Sequence, residues 1–258
     1  TLICTYNATE TISSTLHSVI NQTYKEQEIL IRDDWSTDQT IELLKEWQKK
    51  DNRIKIRTSQ KEWKKLWPYG GLNFLIDRAK WKYIAIQDHD DIWYPDKLKI
   101  QIDFLENNLN YIWCGTAVLM FFWKSRLWYI KDSKSTDKNI VGHTSLMFRN
   151  LWFRYDTSID FFCDTHFMYK ILSWKKNRLK IIWDVLSLRY IKESLENYSE
   201  QWFKLTLKNT KRFFEIYDIN FISIIQYIYI IIRSKLPYKF RFWVTKNISL
   251  KKKMKSEN

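Results

Sequence analysis

Glycine and proline are scarce in this chain, with 4 Gly and 3 Pro among 258 residues. So few glycines leave no Gly-rich loop to cradle phosphates on backbone amides, and neither a GxGxxG nor a GxxxxGK[ST] pattern is present. Any phosphate bound here must be met by other groups. Cysteine is sparse too: Cys4, Cys114 and Cys163 are odd in number, widely separated and never spaced CxxC. That usage excludes a disulfide framework and a zinc knuckle and points to a reducing, cytoplasmic setting. No secretory signal pattern opens the chain, and Thr1 leads directly into a strand-like run, so further native residues are expected ahead of it.

Acidic charge is missing from one region in particular. The formal charge is +14, yet residues 201–258 hold 13 Lys/Arg against 3 Asp/Glu, leaving 30 against 26 for residues 1–200. A nucleic-acid enzyme would carry its basic surface around its active site, so a nucleic-acid partner is not expected; a basic tail instead suits an anionic surface. Within that tail, 219–232 is a dense apolar run in which Asn220, Ser223 and Gln226 make one narrow polar stripe. It is shorter than the roughly 20 residues a bilayer span needs. Arg233, Lys235, Lys239 and Arg241 follow, interleaved with Tyr238, Phe240, Phe242 and Trp243. Such a mixture fits a peripheral contact of 219–258 with the cytoplasmic face of a membrane. A helix packed on the domain with a solvated basic end fits the same pattern, and both readings stay open.

What is present is an alternation of short apolar runs and helical periodicity. Residues 2–6 read as a strand, with Asn7 and Thr9 as caps for a helix reaching Ile20. Residues 28–32 give a second strand, ending in Asp33 and Asp34, and Ser36 with Gln39 forms a capping box for the next helix. Residues 54–57 form a third strand, 70–80 a helix and 83–87 a fourth strand, with another helix starting at Pro95. Alternation of this kind predicts an α/β fold with a mostly parallel sheet and helices on both faces, its ligand crevice lying beyond the carboxyl ends of the strands. Aromatic-rich runs at 112–122, 127–130, 144–148, 164–172 and 186–190 complete the sheet. We divide the chain into one domain at 1–195, with a first half at 1–93 and a second at 94–195, and a helical, basic-aromatic extension at 196–258.

The chemistry concentrates in the stretch YIAIQDHDDIWYP at 83–95, where a buried strand runs into Asp88, His89, Asp90 and Asp91. Crowded like charges call for a cation. Hard divalent ions held by one or two carboxylates plus substrate phosphates fit so sparse a site, so Mn²⁺ or Mg²⁺ is the expected cofactor, with Asp90, Asp88 and Asp91 around it. If extended geometry persists, Asp88 and Asp90 face one side and His89 the other. A DxD by itself is equally a solvated acidic loop.

Several ordered motifs accompany it. ICTYN at 3–7, SVINQTY at 18–24, RDDWSTD at 32–38, Asn73 and DHDDIW at 88–93 together resemble the family 2 glycosyltransferases in motif, order and spacing. That resemblance implies a GT-A, Rossmann-like fold and inverting transfer from a nucleotide-diphosphate sugar to a glycan or lipid-linked acceptor. By the same resemblance Thr5, Tyr6 and Asn7 line the base and ribose pocket, and Asp34 accepts the base N3–H, favouring a UDP- or dTDP-sugar. Asn73 matches a family asparagine, Asp90 binds the metal, Asp88 meets the ribose or a metal-bound water, and Asp91 supports them. A sugar hydroxyl needs a base. Asp164, where the family has a Glu-Asp pair but this chain has Cys163-Asp164, is assigned that role. His143 is placed on the acceptor side, and Arg189 sits where relatives carry a Tyr-Arg-x-His element that here lacks its histidine. A sugar-phosphate nucleotidyltransferase would want a Gly-rich, basic loop after the first strand, and Asn7-Ala8-Thr9-Glu10 is not one. A non-catalytic membrane- or nucleic-acid-binding protein built on the tail is the remaining alternative.

Overall fold

The computed structural model describes residues 1–58, 67–122, 127–131, 142–158, 163–164, 166–168 and 179–191. The basic extension at 196–258 and much of the 164–172 run lie outside the described residues.

In the first half, β1 (Leu2–Thr5), β2 (Ile29–Asp33), β3 (Ile54–Thr58) and β4 (Tyr83–Asp88) pair in parallel in the order β3-β2-β1-β4. The connecting helices α1 (Ile12–Ile20), α2 (Thr40–Lys50) and α3 (Trp67–Ile76) are followed, after β4, by the short β5 (Asp91–Trp93) and α4 (Lys97–Asn107). Alternation along each strand splits the core into two layers. Leu2, Leu30, Ile84 and Ile86 face α3, together with Leu72, Leu75 and Ile76. Ile3, Ile29, Ile31 and Ala85 face the opposite side, with Ile12, Leu16 and Val19 of α1, Leu44 of α2 and Leu98 of α4. The expected helices on both faces are therefore present.

The second half departs from a parallel pattern. β6 (Trp113–Phe122), β7 (Leu127–Lys131), β8 (Met147–Arg149) and β9 (Leu179–Ile191) extend the sheet as β4-β8-β6-β9-β5, with β7 on β6. β8 runs antiparallel to β4 and β6, β9 runs parallel to β6, and β5 runs antiparallel to β9. β6 and β7, separated by four residues, pair antiparallel at hairpin spacing, whereas the antiparallel pairs β4–β8 and β5–β9 join strands distant in the chain.

Several helix starts differ from expectation. Asn7 adopts a left-handed φ of 47° and binds the neighbouring loop, so α1 begins after Thr11. Ser36 donates its hydroxyl to Asp33 instead of closing a capping box, and Asp38 accepts the Thr40 N–H and hydroxyl at the start of α2. α3 starts at Trp67, earlier than Gly70, because Pro68 fits a first helical turn, where an amide N–H has no intrahelical partner. α4 starts at Lys97, with Asp96 preceding it.

Two close fits are informative. A Cβ added at Gly71 would stand 2.8 Å from Cys4 Sγ and 3.2 Å from Arg32 Cδ, so a side chain there would require the buried Arg32, Cys4 or α3 itself to shift. Gly71→Ala gains about 1 kcal/mol of helix propensity but overpacks this contact, and a net loss of about 1–2 kcal/mol in urea unfolding is expected.

Lys97 is fully buried, its ammonium 2.7 Å from Gln101 Oε1 and 4.0 Å from the Trp93 ring centroid. Burial lowers its pKa to about 7. Between that value and the ordinary one near 10.5 the folded state binds fewer protons than the unfolded state, so this group adds stability as pH rises above 7. Above pH 9 the buried thiols of Cys4 and Cys114, pushed up by burial, act in the opposite direction. The cation–π contact with Trp93 offsets part of the cost of burying the charge. Lys97→Met is expected to be more stable than the unaltered chain at pH 7, and chemical denaturation should show that gap narrowing by about 1–2 kcal/mol towards pH 9.

Candidate functional site

Register brings the motif residues to one edge. Thr5 lies beside Asp33, and Cys4 beside Asp88, so the carboxyl ends of β2, β1 and β4 are consecutive. Thr5 Oγ1 donates to Asp33 Oδ1 at 3.1 Å, and the Ser36 N–H donates to Asp33 Oδ2 at 2.9 Å. Asn7 ties the first loop to the second: its N–H donates to Ser36 Oγ at 2.9 Å and its Oδ1 accepts the Thr37 N–H at 2.9 Å. Thr5 and Asn7 thus help hold the two loops together at this edge. Asp34 is buried, 4.0 Å from Arg32 Nε. Tyr6 and Trp35 project at this edge, each 42% exposed, and Trp35 holds a left-handed φ of 69° that a bulky residue seldom adopts.

The acidic stretch does not stay extended. β4 stops at Asp88, the chain turns through His89 and Asp90, and β5 resumes at Asp91, so alternation along a strand does not place Asp88 and Asp90 on one side. The turn is pinned from within. Thr15 Oγ1 donates to the carbonyls of His89 (2.9 Å) and Asp91 (3.0 Å), and Gln87 Nε2 donates to the Asp91 carbonyl at 2.6 Å.

The three carboxylates differ sharply. Asp90 is partly exposed. Burial pushes the Asp88 carboxyl up, but the His143 and Arg189 charges outweigh it and hold Asp88 below the usual carboxylate range. Asp91 is fully buried, and burial with the neighbouring Asp88 charge pushes it well above that range, against the pull of Arg189. Thr144 eases this only slightly, since its hydroxyl is spent on Gln87 at 2.6 Å. Asp91 is thereby separated from the other two: it underlies the turn and presents no exposed oxygen.

Hard carboxylate oxygens at a partly exposed turn suit Mn²⁺ or Mg²⁺. Among the described residues no cluster of three or more His, Cys, Asp or Glu could hold a metal by itself. Asp88 and Asp90 lie at this turn, and an ion held there would need further oxygens from outside the described side chains.

Asp164 stands in a helical turn with buried Cys163, and its charge bears on Tyr69, Tyr155, His143 and Arg189. The fold thus gathers Asp88 and Asp164 from distant stretches. His143 is buried in a 3-10 turn (His143–Ser145), with Nδ1 2.9 Å from Asp88 Oδ1 and Nε2 3.0 Å from the Tyr155 hydroxyl. Asn73 spends its amide on the Tyr155 backbone.

Arg189 is the residue that sequence reasoning undervalued. It pairs opposite Asp91 across the β5–β9 ladder. Burial lowers its pKa, but Asp88, Asp91, Asp90 and Asp164 together raise it above the ordinary guanidinium value. Its position among four carboxylates is set by long-range register, and the absent histidine two places beyond it removed the local signal.

The family model described as Glycosyl transferase family 2 matches residues 1–178. The putative glycosyltransferase EpsE of Bacillus subtilis is 36% identical over 117 residues, covering 45% of this chain and 41% of that protein. WfgD of Escherichia coli, a UDP-Glc:alpha-D-GlcNAc-diphosphoundecaprenol beta-1,3-glucosyltransferase, is 39% identical over 115 residues, covering 44% of each chain. The chain therefore spans less than half the length of these relatives. Staphylococcus aureus TarS 1-349 in complex with UDP-GlcNAc shares the fold, with a TM-score of 0.62 at 18% identity over 85% of this chain and 67% of that one. The mannosyltransferase PcManGT of Pyrobaculum calidifontis, in complex with GDP-Man and Mn²⁺, aligns with a TM-score of 0.60 at 16% identity over 81% of this chain and 60% of that one. With the matched model covering well over half its residues, the chain belongs to glycosyl transferase family 2.

Proposed function

We propose that this chain is a glycosyltransferase that moves a sugar from a UDP- or dTDP-sugar to a hydroxyl of a glycan or lipid-linked acceptor, with inversion at the anomeric carbon. The observation that carries the reading is the meeting of Asp88, Asp90, Asp164 and Arg189 beside the consecutive ends of β2, β1 and β4. The donor's base and ribose lie against Tyr6, Thr5, Asn7 and Asp34, and the diphosphate lies over Asp88 and Asp90. The names of WfgD and of the UDP-GlcNAc complex of TarS support a UDP-sugar and a lipid-linked acceptor.

Asp164 takes the proton of the acceptor hydroxyl as its oxygen attacks the anomeric carbon, and the bond to the diphosphate oxygen breaks on the opposite face. Arg189 stabilises the negative charge gathering on the departing nucleoside diphosphate. Asp90, with Asp88, would hold a Mn²⁺ or Mg²⁺, which would supply further neutralisation of that leaving group. Asp91 lies buried beneath the turn, where burial and the neighbouring Asp88 charge disfavour its ionised form. We further assign 219–258 to peripheral contact with the cytoplasmic face of a membrane. Among the described residues no helix is long and apolar enough to cross one.

Thermal stabilisation by UDP, dTDP and GDP in the presence of Mn²⁺ tests the reading, because a ligand selective for the native state raises the unfolding midpoint. UDP and dTDP should raise it, and absence of a shift with all three would overturn the proposal. Asp90→Ala should abolish the Mn²⁺-dependent part. Asp164→Asn should keep the shift while cutting turnover roughly 10²–10⁴-fold, the range for loss of a general base.

Arg189→Gln should weaken UDP binding by about tenfold or more, as expected for removal of one charged hydrogen-bonding partner of a phosphate. Isothermal titration would show this directly, and unchanged affinity would remove Arg189 from the donor site.

A further inference from the structure

The buried polar contacts behind Asp88 form a line that begins on α3. Asn73 donates its side-chain N–H to the Tyr155 carbonyl at 2.9 Å and accepts the Tyr155 backbone N–H at 2.8 Å. That double clamp fixes residue 155 in a stretch without helix or strand. The Tyr155 ring stacks on Phe167 at 4.1 Å and tilts against Tyr69 at 5.4 Å, which leaves its hydroxyl one direction, towards His143 Nε2 at 3.0 Å. The other imidazole nitrogen meets Asp88 Oδ1 at 2.9 Å.

Proton placement follows from the partners. An ionised carboxylate only accepts, so Nδ1 carries a hydrogen and donates it to Asp88. Nε2 then accepts from the Tyr155 hydroxyl when the ring is neutral and donates to it when the ring is charged. In both states His143 is held at each nitrogen, and a ring so held cannot also turn to an acceptor sugar. The described hydrogen bonds of Asp88 use Oδ1 alone, leaving Oδ2 for a ligand.

We propose that Asn73, Tyr155 and His143 are positioning residues that fix the direction of the Asp88 carboxylate, so that Oδ2 meets the donor or its cation in one orientation. This rests on the donor-binding role proposed for Asp88. It replaces a direct contact of Asn73 with the nucleotide, and of His143 with the acceptor, by action through neighbours.

The test measures UDP affinity in Mn²⁺ by isothermal titration, alongside the unfolding midpoint without ligand. Tyr155→Phe keeps the stacked ring but removes the hydroxyl. His143→Asn keeps a donor near the Nδ1 position but does not reach Tyr155. His143→Leu removes both contacts. About tenfold weaker UDP binding is expected for the first two and about a hundredfold for the third, following the loss of one and then a second, charge-assisted bond. Unchanged affinity in Tyr155→Phe and His143→Asn, with binding lost in Asp88→Asn, overturns the positioning chain and leaves the donor site standing. Affinity losses that merely track the ligand-free midpoints also overturn it. Absence of UDP binding by the unaltered chain overturns both readings.

Discussion

Bringing Asp88, Asp90, Asp91 and Asp164 into one another's field is electrostatically costly, and much of the surrounding architecture answers that cost. Three different solutions are used. Arg189 supplies a permanent positive charge from β9. His143 donates to Asp88 and so favours its ionised form. Asp91 is buried deeply enough that its charged form is disfavoured. The result is an acidic site in which Asp88 is held below and Asp91 pushed above the usual carboxylate range, a difference that chemically identical side chains acquire only from unequal surroundings.

Hydrogen bonds to backbone carbonyls perform a second task, that of holding the turn which carries the charge. Thr15 from α1 and Gln87 from β4 both reach the Asp91 carbonyl, and the Trp93 indole N–H donates to the Thr144 carbonyl at 2.8 Å. These donors come from elements on both sides of the turn, so a shift of α1 or of the 143–145 segment would move the carboxylates with it. Rigidity at the site is inherited from the packed layers below.

Much of this was legible in the residues. Alternating apolar runs gave the parallel half because each strand buries both faces, and the split of Ile3 from Leu2, or Ile31 from Leu30, into opposite layers is that alternation made spatial. Asp34, Asp88 and Asp90 could be singled out because they lie at or just past strand ends, a local property, whereas Thr5 stands out through the family resemblance. Asn73 and His143 were found by type and order, but their partners could not be, since Tyr155 lies 82 positions beyond Asn73 and Asp88 lies 55 before His143. Helix starts were misjudged where a capping residue had another partner: Ser36 is drawn back to Asp33, three positions earlier, and Asn7 to the loop after β2. The mixed second half was illegible in direction because short antiparallel and parallel strands share one apolar pattern.

The antiparallel pairing of β5 with β9 sets Asp91 opposite Arg189, about a hundred positions apart in the chain. Synthesis at roughly 5–20 residues per second therefore delivers the acidic turn some 5–20 seconds before the cation that balances it. Throughout that interval the acidic turn at the end of β4 lacks that cation, and of the His143 and Arg189 charges that hold Asp88 below the usual range only His143 precedes β9 in the chain. Water, counterions and protons must attend the turn until β9 arrives, so closing the sheet is also the moment at which the crevice exchanges solvent screening for a fixed charge of its own.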